Sequence, residues 1–237
     1  MKDYNTLLFD ETKKNGMELS DKQIAQFNLY YELLTAKNKV MNLTAITEYN
    51  DVVRKHFIDS MMISRVLDMK KINSLCDVGT GAGFPGIPLK IVYPHIQLTL
   101  VDSVGKRVNF LSEVVEKLGL EDVETIHSRT EDLAHNQKYR EKYDMVTARA
   151  VASMNVLAEY CIPYAKIGGY FAAYKSGNIE EEIENAKNAV KILGGKIEKT
   201  DVFEIYEMGR SIVLIKKASS TPKMYPRKAG TPSKNPL

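Results

Sequence analysis

The stretch from Ser74 to Arg107 leaves few folds open to this chain. It begins with Leu75, Cys76 and Val78, a short apolar run ending in glycines, as a strand buried in a parallel sheet does. Glycines at 79, 81 and 83 let the backbone turn sharply and approach a ligand with no Cβ in the way. Leu98 to Val101 form a second buried strand, and Asp102 stands at its carboxyl end, 23 positions after Gly79. That is the separation at which an acid on the second strand meets the ribose hydroxyls of a nucleotide-like ligand. A glycine-rich corner without a ligand is the bland alternative. The order strand, loop, helix, strand, acid outweighs it and predicts a doubly wound α/β sheet.

Two ligand classes share this frame. Gly81-x-Gly83-x-x-Gly86 fits the dinucleotide pattern by letter, so a nicotinamide-dependent oxidoreductase is one reading. A pyrophosphate, however, needs free N–H donors at the following helix start, and Pro85 and Pro88 remove two of them. A ligand without phosphates suits the loop better, and S-adenosylmethionine is the obvious candidate. The string Asp77-Val-Gly-Thr-Gly-Ala-Gly-Phe-Pro-Gly-Ile-Pro88, followed by Asp102-Ser-x-Gly-Lys-Arg107, resembles the RsmG (GidB) family of bacterial methyltransferases, which act on guanine N7 of 16S (small-subunit) ribosomal RNA. The resemblance covers nearly the whole chain. It implies a class I S-adenosylmethionine-dependent methyltransferase, Rossmann-like, with seven strands, the last pairing antiparallel, behind an N-terminal helical region. It also implies 16S rRNA or the small ribosomal subunit as partner. A non-catalytic RNA-binding assembly factor that keeps the cofactor fold is a third reading.

No apolar run approaches the ~20 residues of a membrane span, and Met1-Lys-Asp-Tyr-Asn-Thr carries no signal-peptide pattern. Two scattered cysteines, Cys76 and Cys161, give neither a disulfide framework nor a zinc spacing. The expectation is a cytoplasmic monomer with no metal. The formal charge of +3 hides an asymmetry: from Lys216 onward there are six basic residues and no acid, which leaves the rest mildly acidic. A basic tail on an acidic body suggests contact with a polyanion.

Residues 1–70 read as helical. Ser20 with Gln23 forms a capping-box start, and Ile24, Phe27, Tyr31 and Leu34 recur at helical spacing. Asn42 to Thr44 is a polar break. His56 and Asp59, three apart on a helix, can bond locally and lock the helical region to the core, and the family carries a similar pair. The methyltransferase domain is expected over 71–217. Its later strands are expected at 123–127, 143–147, 168–175, 196–206 and 210–217. From 218 to 237 half of the chain's prolines appear with no apolar periodicity, which predicts a flexible basic tail that adds RNA affinity and not stability.

The binding residues follow. Gly79, Gly81 and Phe84 would wall the cofactor, and Asp102 would take the ribose hydroxyls. The resemblance implies that Thr130 and Glu131 border the adenine. It also makes Arg149, at the end of the fourth strand, similar to a cofactor-site arginine that holds the cofactor or the target nucleotide. Lys106, Arg107, Arg129, Lys175, Arg227 and Lys228 are candidate phosphate contacts. The chain has no Pro-Pro, as amino-group methylation would call for at the fourth strand, and no cysteine in a Pro-Cys context, as pyrimidine carbon methylation would. Guanine N7 has a lone pair and no proton, so Arg149 is expected to position, with no general base.

Overall fold

The computed structural model describes residues 4–149 and 152–237; the start of the chain and the two residues that follow Arg149 lie outside them. Among the described residues seven strands form one sheet in the order β3-β2-β1-β4-β5-β7-β6. They are β1 (Ser74–Val78), β2 (Gln97–Asp102), β3 (Val123–His127), β4 (Tyr143–Arg149), β5 (Ala165–Ser176), β6 (Gly195–Ile205) and β7 (Met208–Lys217). The first five run parallel, and β7 enters antiparallel between β5 and β6. The strand order reverses between β1 and β4, so both open outward at their carboxyl ends, and a crevice forms there. β5 starts earlier than its apolar run suggests, at Ala165, with a register shift against β4 near Tyr143.

The α-helical segments among the described residues are α1 (Tyr4–Lys14), α2 (Asp21–Met41), α3 (Tyr49–Val52), α4 (Asp59–Met61), α5 (Gly86–Val92), α6 (Gly105–Lys117), α7 (Thr130–Leu133), α8 (Met154–Cys161), α9 (Glu180–Ile192) and α10 (Thr231–Lys234). The period-2 alternation of the strands divides the core in two. Leu75, Ala172, Tyr174, Ile212 and Leu214 face α1–α6. Cys76, Val78, Phe171, Ala173, Val213 and Ile215 face α7–α9. Residues 1–70 were expected to precede the core as a helical region. Their apolar face packs on the sheet and completes one of the two core layers: Phe27, Leu34 and Phe57 are fully buried in the cluster that holds Leu98 and Leu100.

The Ser20–Gln23 capping box is present at the start of α2. Tyr30, not Tyr31, is the tyrosine of the buried face; its hydroxyl donates to the Ala82 carbonyl at 2.6 Å. Asn42 ends α2 in the left-handed region and opens the polar break. From Tyr49 the helix runs through a π-helical turn (Val53–Ile58) into α4. The hairpin between β6 and β7 turns on Tyr206 and Glu207, both at positive φ, as a two-residue hairpin turn requires. The Tyr206 hydroxyl donates to the buried Glu11 carboxylate at 2.8 Å, which Arg54 also binds. The hairpin tip is thus tied to α1.

The tail departs from expectation. It carries too little apolar surface to fold alone, and it does not fold alone: side chains of the main body hold it. Thr221, Pro226 and Pro232 are buried, and Tyr225 and Leu237 pack on the second core cluster.

Candidate active site

Asp77 pins the glycine loop. An acid inside an otherwise apolar strand must find donors, and this one accepts from the Thr80 hydroxyl at 2.6 Å, the Gly86 N–H at 2.8 Å and the Thr147 hydroxyl at 3.3 Å. Burial pushes its carboxyl up to about 6, against the pull of these donors and of Arg149. A Cβ on Gly86 would stand 2.6 Å from Leu100 and 2.8 Å from this carboxylate, so only glycine fits where α5 meets the sheet. The Gly86 N–H that a pyrophosphate would take is therefore already spent, behind Pro85 and ahead of Pro88. Gly81 differs: its φ is +62° and nothing lies within 4 Å of where a Cβ would stand. It opens on a cleft.

The cleft has two lobes. One, about 390 Å³, is lined by Thr80, Gly81, Phe84, His56, Arg107 and Arg149. The other, about 250 Å³, lies toward β3 and is lined by Ser128, Arg129, Thr130, Glu131, Tyr160 and Ser233. Gly79, Asp102 and Ser103 line both. Asp102 therefore stands where the lobes meet. Its Oδ2 accepts from the Gly81 N–H and its Oδ1 from the Val104 N–H, each at 2.9 Å, and Arg107 stands 3.7 Å away. Each oxygen keeps a second acceptor site for a ligand hydroxyl. With two carboxylates and an open glycine backbone, the donor set fits a nucleoside without phosphates, such as S-adenosylmethionine.

A second cluster closes the other end. Arg149 reaches from β4 to Asp59 Oδ2 at 2.8 Å, and Arg210 reaches from β7 to Asp59 Oδ1 at 2.8 Å. The Arg149 guanidinium lies 5.0 Å from the Phe84 ring centre, and the His56 ring stacks on Phe84 at 4.5 Å. His56 and Asp59 do not bond each other as their spacing suggested. Both hold Arg149 instead, with His56 Nδ1 3.2 Å from its guanidinium. A guanidinium can only donate, so Nδ1 accepts, Nε2 carries the proton, and the contact to Thr44 Oγ1 at 2.9 Å is donated by His56. Burial, then the charge of Arg149, lowers its pKa to about 3. We expect the His56 ring resonances to stay at neutral values in an NMR titration from pH 8 to pH 5; a midpoint near 6.5 would show that the ring is not held this way.

Beyond this cluster is a further cavity of about 300 Å³, lined by Ile46, Lys55, Tyr174, Phe203, Arg210 and Ser211, and sharing His56 and Arg149 with the cleft. The Ser211 hydroxyl is buried there with no hydrogen-bond partner among the described residues.

The expected residues fall into three groups. Gly79, Gly81, Asp102, Arg107, Glu131 and Arg149 line the cleft. Phe84 lines it too, but is 5% exposed and mainly joins α2, His56 and Arg149. Thr130 borders the lobe, yet its hydroxyl turns away to the Tyr160 carbonyl and the Tyr164 hydroxyl. Lys106, Arg129 and Lys228 are exposed, as phosphate contacts require. Lys175 and Arg227 are not free for that task. Lys175 is held by Glu182 and the Ala152 carbonyl, and Arg227 by a two-point contact to Glu159. The expectation for these two is corrected, because a carboxylate in the fold has already claimed each charge. Sequence reasoning missed Arg210 altogether and the role of Asp77. For Asp77 a signal existed, an acid in a buried strand; for Arg210 none did.

A cleft at the carboxyl ends of β1, β2 and β4, an acid ending β2 and an antiparallel last strand define a class I S-adenosylmethionine-dependent methyltransferase. The solved structures agree on the fold. The chain is similar to TYW2 of M. jannaschii in complex with AdoMet (TM-score 0.55, 15% identity, 68% of this chain and 76% of that one). It is also similar to TrmN from Thermus thermophilus (TM-score 0.53, 14% identity, 70% and 53%). The chain belongs to the rRNA small subunit methyltransferase G (GidB) family, whose model matches residues 23–212. Proteins named ribosomal RNA small subunit methyltransferase G from Lachnoclostridium phytofermentans and Bacillus licheniformis are 48% and 50% identical to it. The first match covers 98% of this chain and 97% of the relative, the second 95% of each.

Proposed function

We propose that this protein transfers the methyl group of S-adenosylmethionine to N7 of a guanine in 16S rRNA, in the cytoplasm. The observation that carries the reading is the joint between the cleft and the further cavity, where His56 and Arg149 line both. The donor lies in the cleft, its ribose at Asp102 and its adenine in the lobe of Glu131 and Arg129. The base enters the cavity beside Arg149, between apolar Ile46 and Phe203 and the polar Arg210 and Ser211. Exposed Lys106, Arg129 and Lys228 contact the RNA backbone, which positions the substrate without reading its sequence.

The sulfonium supplies an electrophilic methyl group. Guanine N7 gives a lone pair to that carbon, the carbon–sulfur bond breaks, and no proton moves. The protein's task is therefore alignment and local electrostatics. The junction suits that task. His56 has both ring nitrogens engaged and a pKa of about 3, and Asp59 is spent on two arginines; Cys161 lies away from the junction, buried in the second core cluster with its thiol pushed up. Single-turnover methylation of 16S rRNA at saturating donor is expected to vary little from about pH 6 to 9. A rate rising tenfold per pH unit across that window would require a base and a protonated acceptor in place of N7.

A further inference from the structure

The C-terminal segment, residues 218–237, is built onto the β3-side lobe of the cleft. Arg140 donates to the carbonyls of Thr221, Pro222 and Tyr225, and His135 Nε2 lies 2.8 Å from the Pro226 carbonyl oxygen. Arg227 binds Glu159, a carboxylate 1% exposed, through Nε at 2.9 Å and a terminal nitrogen at 2.7 Å, and through its backbone N–H at 2.7 Å. A buried charge pair of this kind is costly to break from one side, so it is a firm anchor. Past it the chain turns at Gly230, φ +81°, and the Gly230 N–H donates to Glu131 Oε1 at 2.9 Å. Ser233 then lines the lobe with Asp102, Arg129, Glu131 and Tyr160, and its hydroxyl donates to the Gly230 carbonyl at 3.1 Å.

We propose that this segment is the outer wall of the base pocket for the methyl donor: Gly230 orients the Glu131 carboxylate, Ser233 closes the lobe, and the docked segment and the nucleoside half of the donor stabilise each other. The proposal rests on the assignment of the cleft to S-adenosylmethionine. The side that Asp102 marks as the ribose end has β1, β2 and β3 behind it and α8 beside it, and the C-terminal segment faces them across the lobe. Part of the charge at this end of the chain is taken up by the packing: Arg227 is bound to Glu159, and the buried Lys217 at the root of the segment to Glu141. Coupling of this kind is reciprocal. What the tail does for the nucleoside, the nucleoside must do for the tail.

The test uses S-adenosylmethionine and 5′-methylthioadenosine, which shares its adenosine half. The full chain, a chain ending at Met224 and the full-length Ser233→Trp variant are titrated by calorimetry. Truncation is expected to weaken both ligands by a similar factor, about tenfold or more. Ser233→Trp, which fills the lobe but leaves the Arg227 anchor intact, is expected to weaken both while the melting temperature without ligand stays unchanged. In the parent chain, S-adenosylmethionine is expected to slow tryptic cleavage after Arg227 and Lys228. Unchanged affinity of both ligands for Ser233→Trp, or cleavage unaffected by the donor, overturns the proposal even if truncation unfolds the protein. A parent chain that binds neither ligand overturns the donor assignment itself.

Discussion

The Asp59→Ala variant is expected to melt roughly 6–20 °C below the parent chain and to lose methyl transfer. Asp59 is 5% exposed, and its two oxygens each take one arginine at 2.8 Å, Arg149 from β4 and Arg210 from β7. The side chains of those arginines are 14% and 22% exposed. Neither guanidinium can give up its proton. Removing the carboxylate would leave two like charges facing each other with little water, a situation that costs about 3–5 kcal/mol when one partner of a buried pair is lost. Asp59 also belongs to the helical layer while its partners belong to the sheet, so the break falls on the seam that shapes both the cleft and the further cavity. Pairing Asp59→Ala with Arg210→Met should recover part of the loss, because one uncompensated charge is then removed. A single variant that melts within 2 °C of the parent would mean that the triad is solvated and carries no structural role.

The glycine loop and the acid were legible because they are local, whereas the seven strands with their antiparallel last pairing came from the family resemblance and not from spacing. The backbone turn needs its glycines within a few residues, and the helix crossover sets the distance from Gly79 to Asp102. The arginine triad was not legible, since Asp59 and Arg210 stand 151 positions apart and meet only through the antiparallel insertion of β7. His56 and Asp59 were paired by spacing on an ideal helix. The π-helical turn at Val53–Ile58 and the arrival of Arg149 give both a stronger partner. The tail was misread for a related reason. Proline content and missing periodicity report what a segment can do with its own side chains, and every anchor of this one comes from elsewhere: Arg140, Glu141, Glu159, Glu131 and His135. The same blindness assigned Lys175 and Arg227 to RNA, because a sequence shows a charge but not the carboxylate that has claimed it.

Asp102→Ala is expected to weaken S-adenosylmethionine by about 2–4 kcal/mol, roughly 30- to 700-fold. The larger end follows from a double duty. If the acid only accepted a ribose hydroxyl, its loss would remove a charge-assisted hydrogen bond of about 1.5–3 kcal/mol. It also holds the Gly81 and Val104 N–H groups at 2.9 Å, which fixes the glycine loop against the start of α6 before any ligand arrives. Without it the loop must be ordered at the expense of binding, since Gly81, at φ +62°, has no side chain to hold that conformation. Arg107, 3.7 Å from the carboxylate, would lose its counter-charge on the same side as the donor's sulfonium, and two cations then share the cleft. Asp102→Asn separates the two duties. The amide keeps one oxygen for a backbone N–H but must turn its NH₂ toward the other, so loop order is partly kept while the charge is lost. The expected order of affinity is parent, then Asn, then Ala, by calorimetric titration, with NAD showing no heat in any of the three because the Gly86 donor is spent on Asp77. Equal affinities for the Asn and Ala variants would mean that only the charge matters, and an unchanged affinity for both would take Asp102 out of the site.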